Sequence, residues 1–199
     1  MQIPNGNYFN EETHEYFIDG VQYPSVTDIA KPISFARLDA LQKSMLDRAR
    51  IRGQIVHELC EEYILLGEID ETALDPEISP YMASFVEWAR TYRPKVIYTE
   101  KRLFSKDMGY CGCLDMLCEI DGKVTLIDYK TTATIDKKSL SVQLAGYEEL
   151  VYHILGIKVE QFMVLQIKKN GYVFKEIKPN YEWFNILKLH NAYMNKKEK

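Results

Sequence analysis

The chain has 199 residues, 46% hydrophobic and 27% charged, with 25 lysines and arginines against 29 aspartates and glutamates for a net charge of −4. That length suits one domain, and the balance excludes a disordered chain, a histone-like arm and a uniformly basic coat, though not a local basic patch. No apolar run approaches the roughly 20 residues that span a bilayer, and Met1–Gly6 holds no signal-peptide core, so the expectation is one compact cytosolic domain over 1–199. Cys60, Cys111, Cys113 and Cys118 are too sparse for a disulfide framework and lack a C-x-x-C pair. Cys113 and Cys118 also differ in parity along one expected strand, which points them to opposite faces and argues against zinc.

In chain order, Tyr8–Thr27 reads as a hairpin turning on Asp19-Gly20, with Ser25 or Thr27 available as a helix cap. A long helix is predicted from Asp39 to Leu66, stopping at Gly67. Its stripe is Leu41, Met45, Ala49, Val56, Cys60 and Tyr63, and its gap holds Arg48, Arg50, Arg52 and Gly53. Ser79-Pro80 opens a second helix as cap and first residue, and Pro94 ends it. The period then changes to two. Lys95–Phe104, Cys111–Ile120 and Lys123–Lys130 read as strands, the last two joined by Asp121-Gly122. Ser139 or Ser141 starts a helix to Leu155 with Leu140, Leu144, Tyr147, Val151 and Ile154 as its stripe. Lys158–Lys168 and Tyr172–Lys178 pair across Asn170-Gly171, and Pro179–Asn195 is a closing helix. A strand, a helix and a further strand make a βαβ unit, so the fold class is α/β or α+β, a mixed central sheet flanked by helices. No G-x-x-x-x-G-K-[ST] occurs, so no ATP is expected.

The hairpin register carries the chemistry. With Ile120 opposite Lys123, counting back sets Asp115 opposite Asp128, and like charges directly opposed across a ladder are destabilising. Asp128 follows the buried-strand run Val124-Thr125-Leu126-Ile127, and Lys130 lies two residues on. One ion pair with Lys130 would satisfy one carboxylate and leave the other unpaired. A divalent cation bridged by both would satisfy the two, and oxygen ligands at low count suit Mg²⁺ or Mn²⁺. Removing either carboxylate should then leave the metal-free fold intact or firmer.

Gly112-x-x-Asp115, twelve residues, then Asp128-Tyr129-Lys130 resembles the core of the PD-(D/E)XK nuclease superfamily, with a restriction-endonuclease-like fold. Gly53-x-x-x-His57 and Gln143-x-x-x-Tyr147 resemble the additional motifs of its RecB-like branch. The Pro24-Ser25-Val26-Thr27 segment is similar to phage-type and mitochondrial genome maintenance exonucleases. The resemblance implies a Mg²⁺/Mn²⁺-dependent exonuclease acting on DNA ends, single-stranded or end-processed. Asp115, Asp128, His57 and the Tyr129 carbonyl would hold metal, and Lys130 would orient the attacking water or help deprotonate it. Gly53, Arg52, Gln143 and Tyr147 would meet substrate. Glu100 resembles an accessory acidic position, and Glu61 lies one further turn from His57. The relatives' iron–sulfur cysteines follow the Gln-x-x-x-Tyr motif; none follows Cys118 here, so no cluster is expected. Lys43, Arg48, Arg50, Arg52, Lys137 and Lys138 fall beside the expected site as a basic groove, and Tyr23, Phe35, Tyr110 and Tyr129 could stack on unpaired bases. His14, His153 and His190 read as incidental. A recombination partner protein is a further expectation. The rivals are an endonuclease, an RNA-directed enzyme, or a non-cleaving DNA-binding accessory protein.

Overall fold

The structure is a computed structural model that describes residues 6–33, 40–70 and 73–197, without the side chains of 40–46 and 195–197. Leu41, Lys43, Met45 and Phe35 therefore lie outside what is described. Three short strands, β1 (Asn7–Asn10), β2 (Glu15–Ile18) and β3 (Val21–Tyr23), form an antiparallel sheet in sequence order. Asp19 and Gly20 both take positive φ, 51° and 78°, the mirror-image turn that matches strand twist. Helix α1 (Val26–Ala30) starts at Ser25 in a reciprocal cap. Ser25 Oγ accepts from the Asp28 N–H, and the Asp28 carboxylate accepts from the Ser25 N–H, each at 3.0 Å. Such a cap is worth about 1 kcal/mol.

The long helix α2 (Ala40–Leu66) and α3 (Ser79–Tyr92) precede the main sheet. Ser79 is not the cap of α3: the helix starts at Ser79, Ile78 takes the cap position, and the preceding turn supplies the Asp75 carbonyl to the N–H of Ser79. The strands are β4 (Lys95–Ser105), β5 (Tyr110–Ile120), β6 (Lys123–Lys130), β7 (Gln161–Lys168) and β8 (Gly171–Glu176), in spatial order. Every neighbouring pair is antiparallel except β6 with β7, which are joined by α4 (Lys137–Leu155) as the expected crossover. Asp136 caps α4, accepting from the N–H groups of Lys138 and Ser139, so neither Ser139 nor Ser141 has that role. The β7–β8 turn is Lys169-Asn170, one residue earlier than expected, because Lys168 pairs with Gly171. Helix α5 (Tyr181–Lys197) closes the chain.

The sheet separates two cores. On one face α1, α4 and α5 contribute Val26, Ile29, Leu144, Leu150 and Phe184; on the other α2 and α3 contribute Val56, Cys60, Met82, Phe85 and Trp88. Leu140, Leu144, Tyr147 and Val151 are buried as the stripe predicted, but Ile154 is 37% exposed, two residues before the Gly156 C-cap where the helix ends. The small sheet packs Tyr16 and Ile18 on Cys111, and the Cys111 N–H donates to the Pro24 carbonyl at 2.9 Å. That ties β1–β3 to the end of β5, beside the motif residues. No helix among the described residues is long and apolar enough to cross a membrane.

Candidate active site

The site lies where regular pairing fails. The β5–β6 ladder follows the expected register from Ile120↔Lys123 to Met116↔Ile127 and ends there, one pair before Asp115 and Asp128. On the other side, Thr99↔Met116 and Lys101↔Leu114 flank Glu100 and Asp115, which do not pair, and Glu100 takes a φ of 41°. A non-glycine residue in that region is strained by about 1–3 kcal/mol, and such strain gathers at functional sites. The strand rotates here: Leu114 packs in the α4-side core, while Met116, two residues on, packs in the α2/α3-side core. The slip also undoes the parity argument for Cys113 and Cys118, which their surroundings separate instead. The Cys118 thiol points to the Thr125 carbonyl in the core (3.8 Å), and the Cys113 thiol donates to Glu100 Oε2 (3.4 Å).

Asp115 replaces the lost ladder with its side chain. Its Oδ2 accepts the Tyr129 N–H at 2.6 Å, and its carbonyl accepts from the Thr99 hydroxyl at 3.2 Å. Its Oδ1 lies 3.4 Å from His57 Nδ1, and Glu100 Oε1 lies 3.6 Å from that same nitrogen. His57, Glu100 and Asp115 each offer a ligand atom within 4.8 Å of the others, a set that could hold a divalent cation. Glu100, expected only as an accessory, stands inside this group. Asp128 instead faces Lys130, its Oδ2 2.5 Å from Nζ.

The electrostatics match a cation-seeking site. Burial alone would lower the His57 pKa, but Asp115 and Glu100 raise it to about 10, so the two carboxylates favour a positive charge at this position. Burial works against the Asp115 carboxylate, yet His57, Lys130 and the Tyr129 N–H together bring its pKa below the ordinary value. Asp128 moves to about 6 because burial, aided by Asp115, outweighs Lys130. Burial would lower Lys130, but Asp128 and Asp115 push it above the ordinary lysine value, so it stays an ammonium. The expectation that losing a carboxylate leaves the fold untouched changes for Asp115, since alanine there would strand the buried Tyr129 N–H.

His57, Glu100 and Lys130 open onto a cleft of about 750 Å³, while Asp115 and Asp128, both expected at the site, sit behind them and do not line it. Tyr147 lines the cleft, as does Glu61, whose carboxyl is raised by burial and then by Glu100. Gly53 lines it too, and its bare Cα serves packing: a Cβ there would meet Thr131 Oγ1 at 3.1 Å. Gly112 makes room for the Tyr147 ring, since its Cβ would meet Cε1 at 2.9 Å and Val26 at 3.1 Å. Gly112→Ala is therefore expected to destabilise the fold by about 1–3 kcal/mol through overpacking, read as a lower urea midpoint at unchanged slope.

Other sequence-expected residues lie elsewhere. Arg52 does not line the cleft; its guanidinium sits 5.3 Å from the Tyr81 ring and 3.4 Å from Glu77, while Arg50 takes the cleft-lining place. Gln143 donates to Ser139 Oγ at 3.1 Å and does not line the cleft. Arg48, Lys137 and Lys138 are exposed away from the lining. Tyr110 and Tyr129 are 0% and 1% exposed, so neither offers a face to a base; Tyr129 packs edge-on against His57 and Phe85. Tyr23 is half-buried against the small sheet's core. Lining residues without a signal in their local motifs include Phe9, Tyr16, Glu58, Arg102 and Cys113, and His14, expected to be incidental, lines the cleft as well. Arg102 follows Glu100 by two, and that strand spacing was the clue available.

No protein-family model matches the chain, and no curated protein matches it. Among solved structures, a protein from Eubacterium rectale, described provisionally as an exonuclease, superposes at TM-score 0.46 and 14% identity over 84% of this chain and 69% of its own. The protein SSO0001 superposes at TM-score 0.37 and 15% identity over 85% of this chain and 83% of its own. Both scores are too low for either likeness to say what this chain does.

Proposed function

We propose that the chain is a metal-dependent deoxyribonuclease, an exonuclease hydrolysing phosphodiester bonds at DNA ends. The observation that carries this reading is the convergence of His57, Glu100 and Asp115 on one position, with His57, Glu100 and Lys130 lining one cleft and Lys130 paired to the buried Asp128 behind it. His57, Asp115 and Glu100 would hold the cation, with Asp128 and the Tyr129 carbonyl as the further ligands the motif implies. One imidazole among carboxylates suits Mn²⁺ as well as Mg²⁺. When bound, the cation lowers the pKa of a coordinated water and neutralises charge on the phosphate.

The chain's own residues supply the rest. Lys130 remains protonated, so it orients the attacking water and donates toward the phosphate rather than removing a proton. The Tyr129 N–H fixes the Asp115 carboxylate, and the Tyr129 ring fixes the imidazole plane. Arg50 at the cleft supplies positive charge to the strand. End-labelled linear and circular DNA, with Mn²⁺ or with EDTA, tests the reading. Cleavage of linear DNA alone, abolished by EDTA, is the expected result. Cutting of the circle would make it an endonuclease, and metal-independent binding without cleavage would make it a DNA-binding protein.

Metal uptake has a proton signature. A ligand histidine must be neutral, and His57 holds its proton to about pH 10. Between roughly pH 7 and pH 9, binding is expected to release about one proton per ion, and affinity to rise up to tenfold per pH unit. Titration calorimetry in buffers of different ionisation enthalpy measures the release. His57→Gln should abolish it.

A further inference from the structure

We infer that the small N-terminal sheet forms a subsite for one unpaired nucleotide beside the carboxylates, with Phe9 and His14 as the base-stacking wall and Arg102 as the phosphate arm. This rests on the nuclease reading and adds to it a residue-level source of single-strand preference. The two walls of the cleft differ in kind. One carries His57, Glu100 and Lys130, the other Phe9 and Tyr16 from β1 and β2 and His14 from the turn between them. The Phe9 ring centroid lies 4.6 Å from that of Tyr16, tilted by 51°, and 5.8 Å from that of His14, edge-on at 62°, so the three rings form a continuous cluster with His14 at its exposed end. Tyr16 is buried and packs on Phe104 at 5.5 Å, which anchors the wall to β4. His14 is exposed at the β1–β2 turn, and Asn10 Oδ1 accepts the N–H groups of Glu12 and Thr13, holding the turn in shape.

Arg102 joins the two walls. Its guanidinium lies 4.5 Å over the Phe9 ring, and it stands two residues from Glu100 on β4. Its charged partner is Glu11 at 3.5 Å, a carboxylate 79% exposed. An exposed pair of this kind holds with little energy and yields readily to a phosphate, which a planar guanidinium grips by two hydrogen bonds. A cation beside aromatic faces is the arrangement that takes a sugar–phosphate on one side and a base on the other, and only an unpaired base has a free face to stack. About 750 Å³ encloses a ligand of nucleotide scale.

The test compares Phe9→Leu, His14→Ala and Arg102→Gln on labelled single-stranded and blunt duplex oligonucleotides of one sequence. Binding is measured in EDTA, and initial rates with Mn²⁺. Phe9→Leu keeps apolar packing on Tyr16, and His14 is exposed, so both should fold; melting curves check it. Expected for Phe9→Leu and His14→Ala is a loss of about tenfold in single-strand affinity, carried in KM with kcat within about twofold, and duplex binding changed less than about twofold. Arg102→Gln should weaken single-strand binding and reduce the salt slope by about one. An equal loss on both substrates, or none on single strands, overturns the subsite. Wild-type protein that binds single strands in EDTA with this pattern but cuts nothing with Mn²⁺ overturns the nuclease reading and leaves the subsite standing.

Discussion

Asp115→Asn is expected to lower DNA cleavage by about a thousandfold or more with a folded protein and an unchanged spectrum of core packing. The size follows from removing several kcal/mol of charge stabilisation at the metal, at 1.36 kcal/mol per factor of ten. Asparagine is the informative replacement because its carbonyl oxygen can still accept the Tyr129 N–H that Oδ2 holds at 2.6 Å. Alanine would leave that donor unsatisfied at a cost of about 1–3 kcal/mol and confuse loss of ligand with loss of fold. A second readout comes from His57. With one of its two carboxylates neutral, its pKa falls from about 10 toward the ordinary value, since Asp115 supplies the larger of the two attractions that oppose burial. Imidazole proton chemical shifts across pH report the fall directly. An Asp115→Asn protein that still cuts linear DNA with Mn²⁺ within tenfold of wild type would remove the metal site from the mechanism.

The strand that carries Asp115 also shows where sequence reasoning stops. Periodicity and two Asp-Gly turns placed β2, β3, β5 and β6 closely, because a turn with both φ values positive fixes its flanking register by itself. The same register sets Asp115 directly opposite Asp128, but the ladder ends at Met116 and Ile127, one pair short of them. Beyond that pair a period of two is the wrong guide, for the strand rotates between Leu114 and Met116, and Glu100 turns to positive φ. Alternation assumes an unbroken ladder, so Glu100 looked peripheral although it completes the group with His57 and Asp115. Helix caps failed for a different reason. Asp136, Ser139 and Ser141 are all competent acceptors within six residues, and the choice among them is made by where the chain leaves β6. Arg52 and Arg50 are indistinguishable as charges on a helix; the packing of α3 and of the turn before it, through Tyr81 and Glu77, decides which faces the cleft. Long-range packing settles such matters, and it has no local signature.

Lys130→Ala is expected to lower the cleavage rate by about 10²–10⁴, the usual scale for a positioned group that handles a proton or orients a nucleophile. The structure adds a pH signature to that loss. Lys130 Nζ is the close partner of Asp128, whose pKa burial has already pushed up to about 6. Without the ammonium that opposes burial, Asp128 rises further and takes a proton near neutrality, which spares the fold an unpaired buried charge. The sign is therefore fixed: the acid limb of the rate profile, which needs Asp128 ionised, should move to higher pH in Lys130→Ala. Lys130→Arg separates the two duties of the side chain. An arginine keeps the positive charge beside Asp128 and should restore the acid limb toward wild type, yet its planar guanidinium cannot place a donor where the compact ammonium did, so the rate should stay well below wild type. Full recovery of rate in Lys130→Arg would mean that Lys130 serves Asp128 as a structural counter-ion only, and a loss under tenfold in Lys130→Ala would say the same.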